Sequence, residues 1–252
     1  MSTVSIKSVL KDIPDTQFAR KEMEELFGSQ DIFSYPKTTE LVKLFAKLST
    51  APSDIIMDFF SGSATSAHAI MRLNAEARTN RKFIMIQLPE KTADNTEARK
   101  KGFANICEIG KERIRRAGKK IKEENPLTTQ DLDIGFRVLK LADSNMNDVY
   151  YGVNEYNQDM LSMLESNIKP DRTDLDLLFG CLLEWGLPLS LPYSSETIEG
   201  CTVHNYNDGD LIACFDENVP ESVIKAIAKK QPLRAVFRDS SFTNSPSKIN
   251  VG

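Results

Sequence analysis

Residues 55–88 hold the feature that most restricts the fold: two short apolar runs, "IIMDFF" and "KFIMIQL", separated by "SGSATSAHAIMRLNAEARTNR". The stretch between them opens with a glycine–serine turn and continues with apolar residues at helical spacing. Strand, helix and strand of these lengths make a βαβ unit, and that implies parallel pairing with a right-handed crossover. The second run is continuous and apolar, the pattern expected of a strand covered on both faces.

The turn itself, "DFFSGSATSAHA" from Asp58 to Ala69, has the shape of a cofactor loop at the edge of a parallel sheet. A glycine lets the backbone approach a ligand, and the helix that follows offers unpaired N–H donors. Nucleotide, flavin, nicotinamide and methyl-donor enzymes all use such a turn, and a plain serine-rich strand-to-helix connection looks the same. No GxxxxGK[ST] run occurs, which excludes the P-loop. Only Gly62 is present where a dinucleotide site needs GxGxxG, so a pyrophosphate would be held poorly. A smaller ligand whose anionic group is a carboxylate is left open.

Composition narrows the class. The 252 residues are 40% hydrophobic and 27% charged, with a net charge of −4. That balance argues against a purely electrostatic nucleic-acid binder, so local patches must carry any DNA contact. No apolar run approaches the roughly 20 residues of a membrane span, and "MSTVSIKSVLKDIP" lacks a signal-peptide apolar region. The four cysteines, Cys107, Cys181, Cys201 and Cys214, show no CxxC pairing, and the histidines are His68 and His204. From that spacing no metal site is expected, no disulfide framework is needed, and a reducing cytoplasmic location is the default.

Along the chain, the sequence predicts a helix over Thr16–Phe27 closed by Gly28, and a second helix after Pro36 with Leu41, Val42, Leu44, Phe45 and Leu48 on one stripe, ended by Pro52. One long helix is expected from Asn95 to about Glu124, with Ile106, Ile109, Ile114, Ala117 and Ile121 inward. At "NPLTTQDLDIG" the composition shifts to turn formers, and a domain boundary is placed between residues 125 and 126. Beyond it, "FRVLKLA" reads as a strand and "EYNQDMLSMLESN" and "DLDLLFGCLLEWG" as helices. "CTVHNYNDGDLIACFD" reads as a hairpin with a type I′ turn at Asp208–Gly209, followed by a helix "PESVIKAIAKK" and a strand "LRAVFRD".

The stretch from "FSYPKTTELVKLF" through "KFIMIQLPE" resembles the C-terminal half of the Mod subunit of type III restriction–modification systems. So do "ICEIGKERIRRAGKKIKEE", "LDIGFRVLKL", "LLFGCLLEWGL" and "LIACFDENV…LRAVFRDSSF", so the resemblance runs nearly the whole length. These are S-adenosylmethionine-dependent DNA adenine-N6 methyltransferases of the β-class motif order. The resemblance implies that Tyr35, Pro36 and Lys37 form the segment lining the methionine end of the cofactor. Asp58, Phe59, Phe60, Ser61, Gly62, Ser63 and Thr65 match the loop that receives its amino and carboxylate groups. The family loop usually reads FAGSGT, and Ala64 stands here at its second glycine. If that position needs a positive φ, alanine costs about 1 kcal/mol. The end of "KFIMIQLPE" matches the place where methyltransferases commonly set an acid on the ribose hydroxyls. Gln87 occupies it, with Glu90 as competitor; His68 is expected to pack near the loop rather than touch ligand.

The family's catalytic DPPY-type run is absent from these residues. In such enzymes its Asp or Asn and a proline carbonyl accept the adenine amino hydrogens, and its Tyr stacks on the flipped base. The nearest look-alike, "SLPYSS" with Pro192 and Tyr193, has one proline and no acid or amide, and no catalytic residue is assigned. The expectation is a chain cut at both ends, with apolar surface exposed.

The run "KERIRRAGKKIK" sets Lys111, Arg113, Arg115, Arg116, Lys119, Lys120 and Lys122 against Glu112. It reads either as a solvated charged face or as a phosphate-contact surface, with Arg113, Arg115, Arg116, Lys119 and Lys120 as DNA-contact candidates. It lacks the interleaved aromatics of single-strand binders.

The fold implied is α/β: part of a Rossmann-like methyltransferase sheet over residues 1–125, then a smaller α/β or α+β region over 126–252. The implied activity is DNA adenine-N6 methylation with S-adenosyl-L-methionine as cofactor. The chain alone is expected to be inactive. Implied partners are DNA, a further Mod chain or the half with the catalytic run, and a Res subunit, with no membrane. The alternative is a non-catalytic Mod remnant that dimerises or docks. A nicotinamide enzyme is disfavoured by the missing GxGxxG.

Overall fold

The structure, a computed structural model, describes residues 13–147 and 167–242. The chain is mixed α/β and divides into two compact units, Met1–Phe136 and Arg137–Gly252.

In the first unit, α1 (Thr16–Phe27) starts where Asp15 accepts the N–H groups of Gln17 and Phe18, and stops at Gly28. There a φ of 70° turns the chain and the Gly28 N–H closes onto the Glu24 carbonyl at 2.7 Å. Helix α2 (Thr39–Ser49) leads into β1 (Ile55–Asp58), α3 (Thr65–Ala77) and β2 (Lys82–Met85). Strands β1 and β2 pair in parallel, Ile55 opposite Lys82 through Asp58 opposite Met85. This is the βαβ unit that the apolar spacing predicts.

The expected long helix is two pieces, α4 (Glu97–Lys100) and α5 (Ile106–Glu124). Gly102, at φ 88°, breaks it. The break lets Phe103 turn in and meet Phe27 edge-on, with ring centroids 5.7 Å apart. Met23, Leu26 and Phe27 of α1, Ala67 and Met71 of α3, and Ile109, Ile114, Ala117 and Ile121 of α5 form the core. Leu132, Ile134 and Phe136 pack against it, which is why this unit runs past the compositional shift at residues 125–126.

The helices cover one face of the β1–β2 pair. Phe83 and Met85 pack into that core, whereas Ile55 and Met57 are 60% and 56% exposed and Ile84 and Ile86 also face outward. A strand covered on both faces was expected. Among the described residues, however, no element lies over this second face, so its apolar side chains remain in water.

In the second unit, α6 (Asp174–Glu184) begins in a capping box, Thr173 and Asp176 satisfying each other's backbone N–H groups. Strands β3 (Tyr193–Ile198), β4 (Cys201–Tyr206), β5 (Leu211–Cys214) and β6 (Ala235–Phe237) form one sheet in that order. The first two neighbouring pairs are antiparallel, and β5 and β6, joined through α7 (Glu221–Lys229), are parallel. Leu177, Leu178 and Leu182 of α6 pack with Tyr206, Leu211 and Ala213. Val223, Ile224 and Ile227 of α7 pack with Val203, Ile212 and Cys214. Alternate residues of β4 and β5 thus feed two cores, which is why β5 is buried along its whole length.

Two expectations need correcting here. The hairpin forms, but its connection is the four residues 207–210 rather than a two-residue type I′ turn, with Asn207, Asp208 and Gly209 all at positive φ. "FRVLKLA" (136–142) forms no strand; Leu139 and Leu141 are exposed and find no partner strand. The look-alike "SLPYSS" leads into β3, where Tyr193 pairs with Tyr206 and packs edge-on against Phe179 at 6.0 Å. The predicted helix 155–167 lies almost wholly outside the described residues.

Candidate cofactor loop

The loop leaves β1 at Asp58. One carboxylate oxygen accepts the Ser66 hydroxyl at 2.5 Å, and the other accepts the Phe60 N–H at 3.2 Å. Those two bonds fold the chain over the end of β1 and aim the first turn of α3 at the loop. The Ser61 N–H reaches the Ile86 carbonyl at 3.2 Å, and the Gly62 N–H donates to Gln87 Oε1 at 2.7 Å. Gln87 thus ties the loop to the end of β2, while its Nε2 donates to the Leu88 carbonyl at 3.2 Å.

Gly62 suits its place in conformation and in the space left beside it. Its φ is 51°, and an added Cβ would lie 3.1 Å from the Phe33 ring. Ala64 sits at φ 58° and ψ 40°, the left-handed region, so the condition under which alanine costs about 1 kcal/mol is met. Its N–H donates to the Ser61 carbonyl at 2.7 Å, closing a tight turn just before α3.

The loop rests on a buried cation. Arg113 of α5 is fully buried, and its Nη1 donates to Ser63 Oγ at 2.9 Å and to Thr65 Oγ1 at 2.7 Å. Its Nη2 lies 3.6 Å from Glu22 Oε2 of α1, too long for a hydrogen bond but well placed for charge attraction. Glu22 also accepts the Thr39 N–H at 3.2 Å, the Thr39 hydroxyl, and Arg72 Nη1 at 3.4 Å. One buried carboxylate therefore holds α1, α2, α3 and α5 to the base of the loop. Burial pushes the Arg113 guanidinium down to about 10, with Glu22 opposing, so it stays charged at neutral pH.

His68, one turn into α3, is buried, and its Nδ1 finds no hydrogen-bond partner among the described residues. Burial first, then the charges of Arg113, Arg72 and Lys120, hold its pKa well below the ordinary 6.5. The neutral ring in the fold thus faces an unfolded chain that takes up a proton near pH 6.5. Stability is full above that pH and falls as the pH drops below it, by up to about 1.4 kcal/mol per unit, until the folded-state pKa is reached. Urea unfolding midpoints followed from about pH 7 to 5 are expected to decline in the native chain. In His68→Gln most of that decline disappears; an unchanged slope would contradict the assignment.

Of the residues singled out in the sequence, Asp58 to Thr65 and Gln87 gather at the ends of β1 and β2. Phe59 and Phe60 are open to solvent, Phe60 being 83% exposed. The Ser63 and Thr65 hydroxyls face Arg113 instead of the loop's open side. Tyr35, Pro36 and Lys37 line a cavity of about 330 Å³ with Thr16, Gln17 and Arg20, and no loop residue borders it. Glu90 is exposed. Residues that the sequence reading passed over are Glu22, Phe33, Arg113 as a strut, and Gly110, where an added Cβ would lie 3.4 Å from the Gly62 carbonyl. A signal existed for Arg113: it falls between Ile109 and Ala117 on the inward face of α5.

The DNA-contact candidates divide accordingly. Arg113 cannot reach a phosphate because it is inside the fold. Arg116 bonds Glu112 at 2.6 Å and the Leu26 carbonyl at 2.9 Å, and lies over Phe27. Arg115 pairs with Glu112 at 3.4 Å and lies over Phe136. Lys120 pairs with Glu25 and with Glu124, and Lys119 with Glu123 at 3.7 Å. Intrahelical and α1 carboxylates thus neutralise much of this face; Lys119 remains the most exposed of the five.

Comparison with known proteins bears on this geometry. A DNA methylase family matches residues 7–117, the span that carries the loop and its supports. The Mod subunit of the StyLTI type III restriction-modification enzyme of Salmonella typhimurium is 39% identical over 131 residues, 52% of this chain and 20% of that protein. The EcoP15I Mod subunit of Escherichia coli is 28% identical over 92% of this chain and 35% of its own length. The EcoPI Mod subunit of Escherichia phage P1 is 27% identical, again over 92% of this chain and 36% of its own. The resemblance drawn from the sequence therefore holds along most of the chain, which spans about a fifth to a third of these relatives. No helix among the described residues is long and apolar enough to cross a membrane.

Proposed function

We propose that this Mod-like methyltransferase chain supplies the S-adenosylmethionine-binding part of a DNA adenine-N6 methyltransferase of a type III restriction–modification system. The observation that carries the reading is the loop from Asp58 to Thr65, braced by Gln87 and Arg113 and lying within the span that matches DNA methylases. The βαβ unit is then one part of a Rossmann-like sheet, with the ligand outside the carboxyl ends of its strands.

The residues present fit this cofactor, whose sulfonium carries the methyl group for transfer. Asp58 offers a carboxylate to its ammonium group. The Ser63 N–H and the first turn of α3 offer N–H donors to its carboxylate, the Ser61, Gly62 and Ala64 N–H groups being taken within the fold. Phe59 and Phe60 offer exposed aromatic surface beside the loop. Gln87 acts mainly by holding Gly62, leaving Glu90 as the acid nearest to the ribose role. The segment Tyr35–Lys37 follows Phe33, whose ring lies 3.1 Å from where a Cβ on Gly62 would stand.

The second reading, a docking module without its own chemistry, is favoured by the exposed apolar face of Ile55, Met57, Ile84 and Ile86. The two readings are compatible if that face receives the polypeptide with the catalytic run. Mixing this chain with a separately produced Mod segment that carries DPPY and the recognition region tests both. Labelled methyl transfer to adenines in DNA is expected from the pair and not from either alone. Transfer by this chain alone, or a pair that binds DNA and each other yet never transfers methyl, would contradict the assignment.

A further inference from the structure

The second unit holds a cluster that no part of the methyltransferase reading uses. In the β4–β5 ladder Val203 stands opposite Cys214. Two residues further out, the alternation of a strand brings Cys201 and Asp216 to the same face as Cys214. One ligand atom of each of Cys201, Cys214 and Asp216 lies within 4.8 Å of the others. Both thiols are buried and neither is in a disulfide. Around the thiols are Val203, Ile212, Val219, Val223, Ile224 and Ile227, an apolar cluster.

We propose that Cys201, Cys214 and Asp216 form a site for a thiophilic divalent cation, with zinc(II) the ion whose size and ligand preference fit best. With Zn–S near 2.3 Å and Zn–O near 2.1 Å, tetrahedral geometry sets ligand sulfur and oxygen roughly 3.6 Å apart. The observed separation of Cys214 Sγ and Asp216 Oδ2 is 3.8 Å. Binding breaks two S–H bonds, releases both protons to water and forms two sulfur–metal bonds, while Asp216 contributes an oxygen. The Thr202 N–H donates to Asp216 Oδ2 at 2.6 Å and fixes the carboxylate, as outer hydrogen bonds do for metal-binding carboxylates. Asp216 is half-buried, so solvent reaches the cluster on its side and water completes the coordination. In the metal-free fold, burial first and then the nearby Asp216 and Cys201 push the Cys214 thiol up to about 11. Cysteine spacing in the sequence hides this site because strand pairing, not proximity along the chain, assembles it.

The full chain, reduced and freed of metal by chelation, is titrated with Zn2+ against a chromophoric chelator and with Co2+ by visible absorption. One equivalent is expected to bind, with sulfur-to-cobalt and tetrahedral bands, and binding is retained in Cys107→Ser/Cys181→Ser. It is lost in Cys214→Ser and weakened about tenfold or more in Asp216→Asn; the latter changes a half-buried group and keeps the test valid if the cysteine variant misfolds. No uptake, uptake that ignores Cys214→Ser and Asp216→Asn, or purification of the chain with Cys201 and Cys214 already joined would overturn the proposal.

Discussion

Replacing Arg113 by alanine is expected to lower the unfolding free energy of the chain's first unit by about 3–5 kcal/mol, the range for removing one partner of a buried ion pair. The guanidinium bonds two hydroxyls at the base of the loop and faces the buried Glu22 carboxylate. Truncation leaves that carboxylate with Arg72 and Thr39 alone, and leaves the Ser63 and Thr65 hydroxyls buried without their donor. The side-chain volume becomes a cavity between α3 and α5, which adds to the loss. Charge removal and cavity can be separated. Glu22→Gln combined with Arg113→Met removes both charges while filling the space, and recovers part of the loss. Urea unfolding of the full chain measures both. A loss below about 1 kcal/mol in Arg113→Ala, the range of exposed ion pairs, would mean that the pair is solvated and the loop rests on something else.

Asp58→Ala carries the largest expected effect on binding. Hydrogen bonds to a charged group contribute about 1.5–3 kcal/mol, so losing the carboxylate weakens S-adenosylmethionine binding by roughly 10- to 150-fold. Part of that loss comes through the loop, because Asp58 also restrains Ser66 and the Phe60 N–H. Asp58→Asn loses the charge and keeps one acceptor oxygen, enough for the Phe60 N–H, while its amide N–H can only donate to the Ser66 hydroxyl, so it should fall between the native chain and Asp58→Ala. Equal affinities in all three would remove Asp58 from the site.

What was legible in the sequence was local. Gly28 marks the end of α1 because a cap acts within a turn of itself. The apolar runs around a glycine–serine turn gave the βαβ unit because lengths and periodicity suffice for it. Comparing the loop with FAGSGT raised a positive φ at Ala64 as a condition, and the structure meets it. What depended on distant partners was not legible. Arg113 lies in a run of basic residues, and only the packing of α1 and the loop against α5 turns one of them inward. Strand β3 has the polar sequence "YSSETI" and owes its form to pairing with β4. "FRVLKLA" has strand-like residues and no partner to pair with. The exposed face of β1 and β2 reversed the inference from continuous apolarity, since composition records what a strand can bury and not what is there to cover it.

The most direct test of the central claim is a calorimetric titration of the purified full chain with S-adenosylmethionine. Saturable binding with one site per chain is the predicted result, and the Asp58→Ala control should weaken it. A chain shown by circular dichroism to be folded, yet giving no saturable heat, would contradict the cofactor assignment and leave the docking reading in its place.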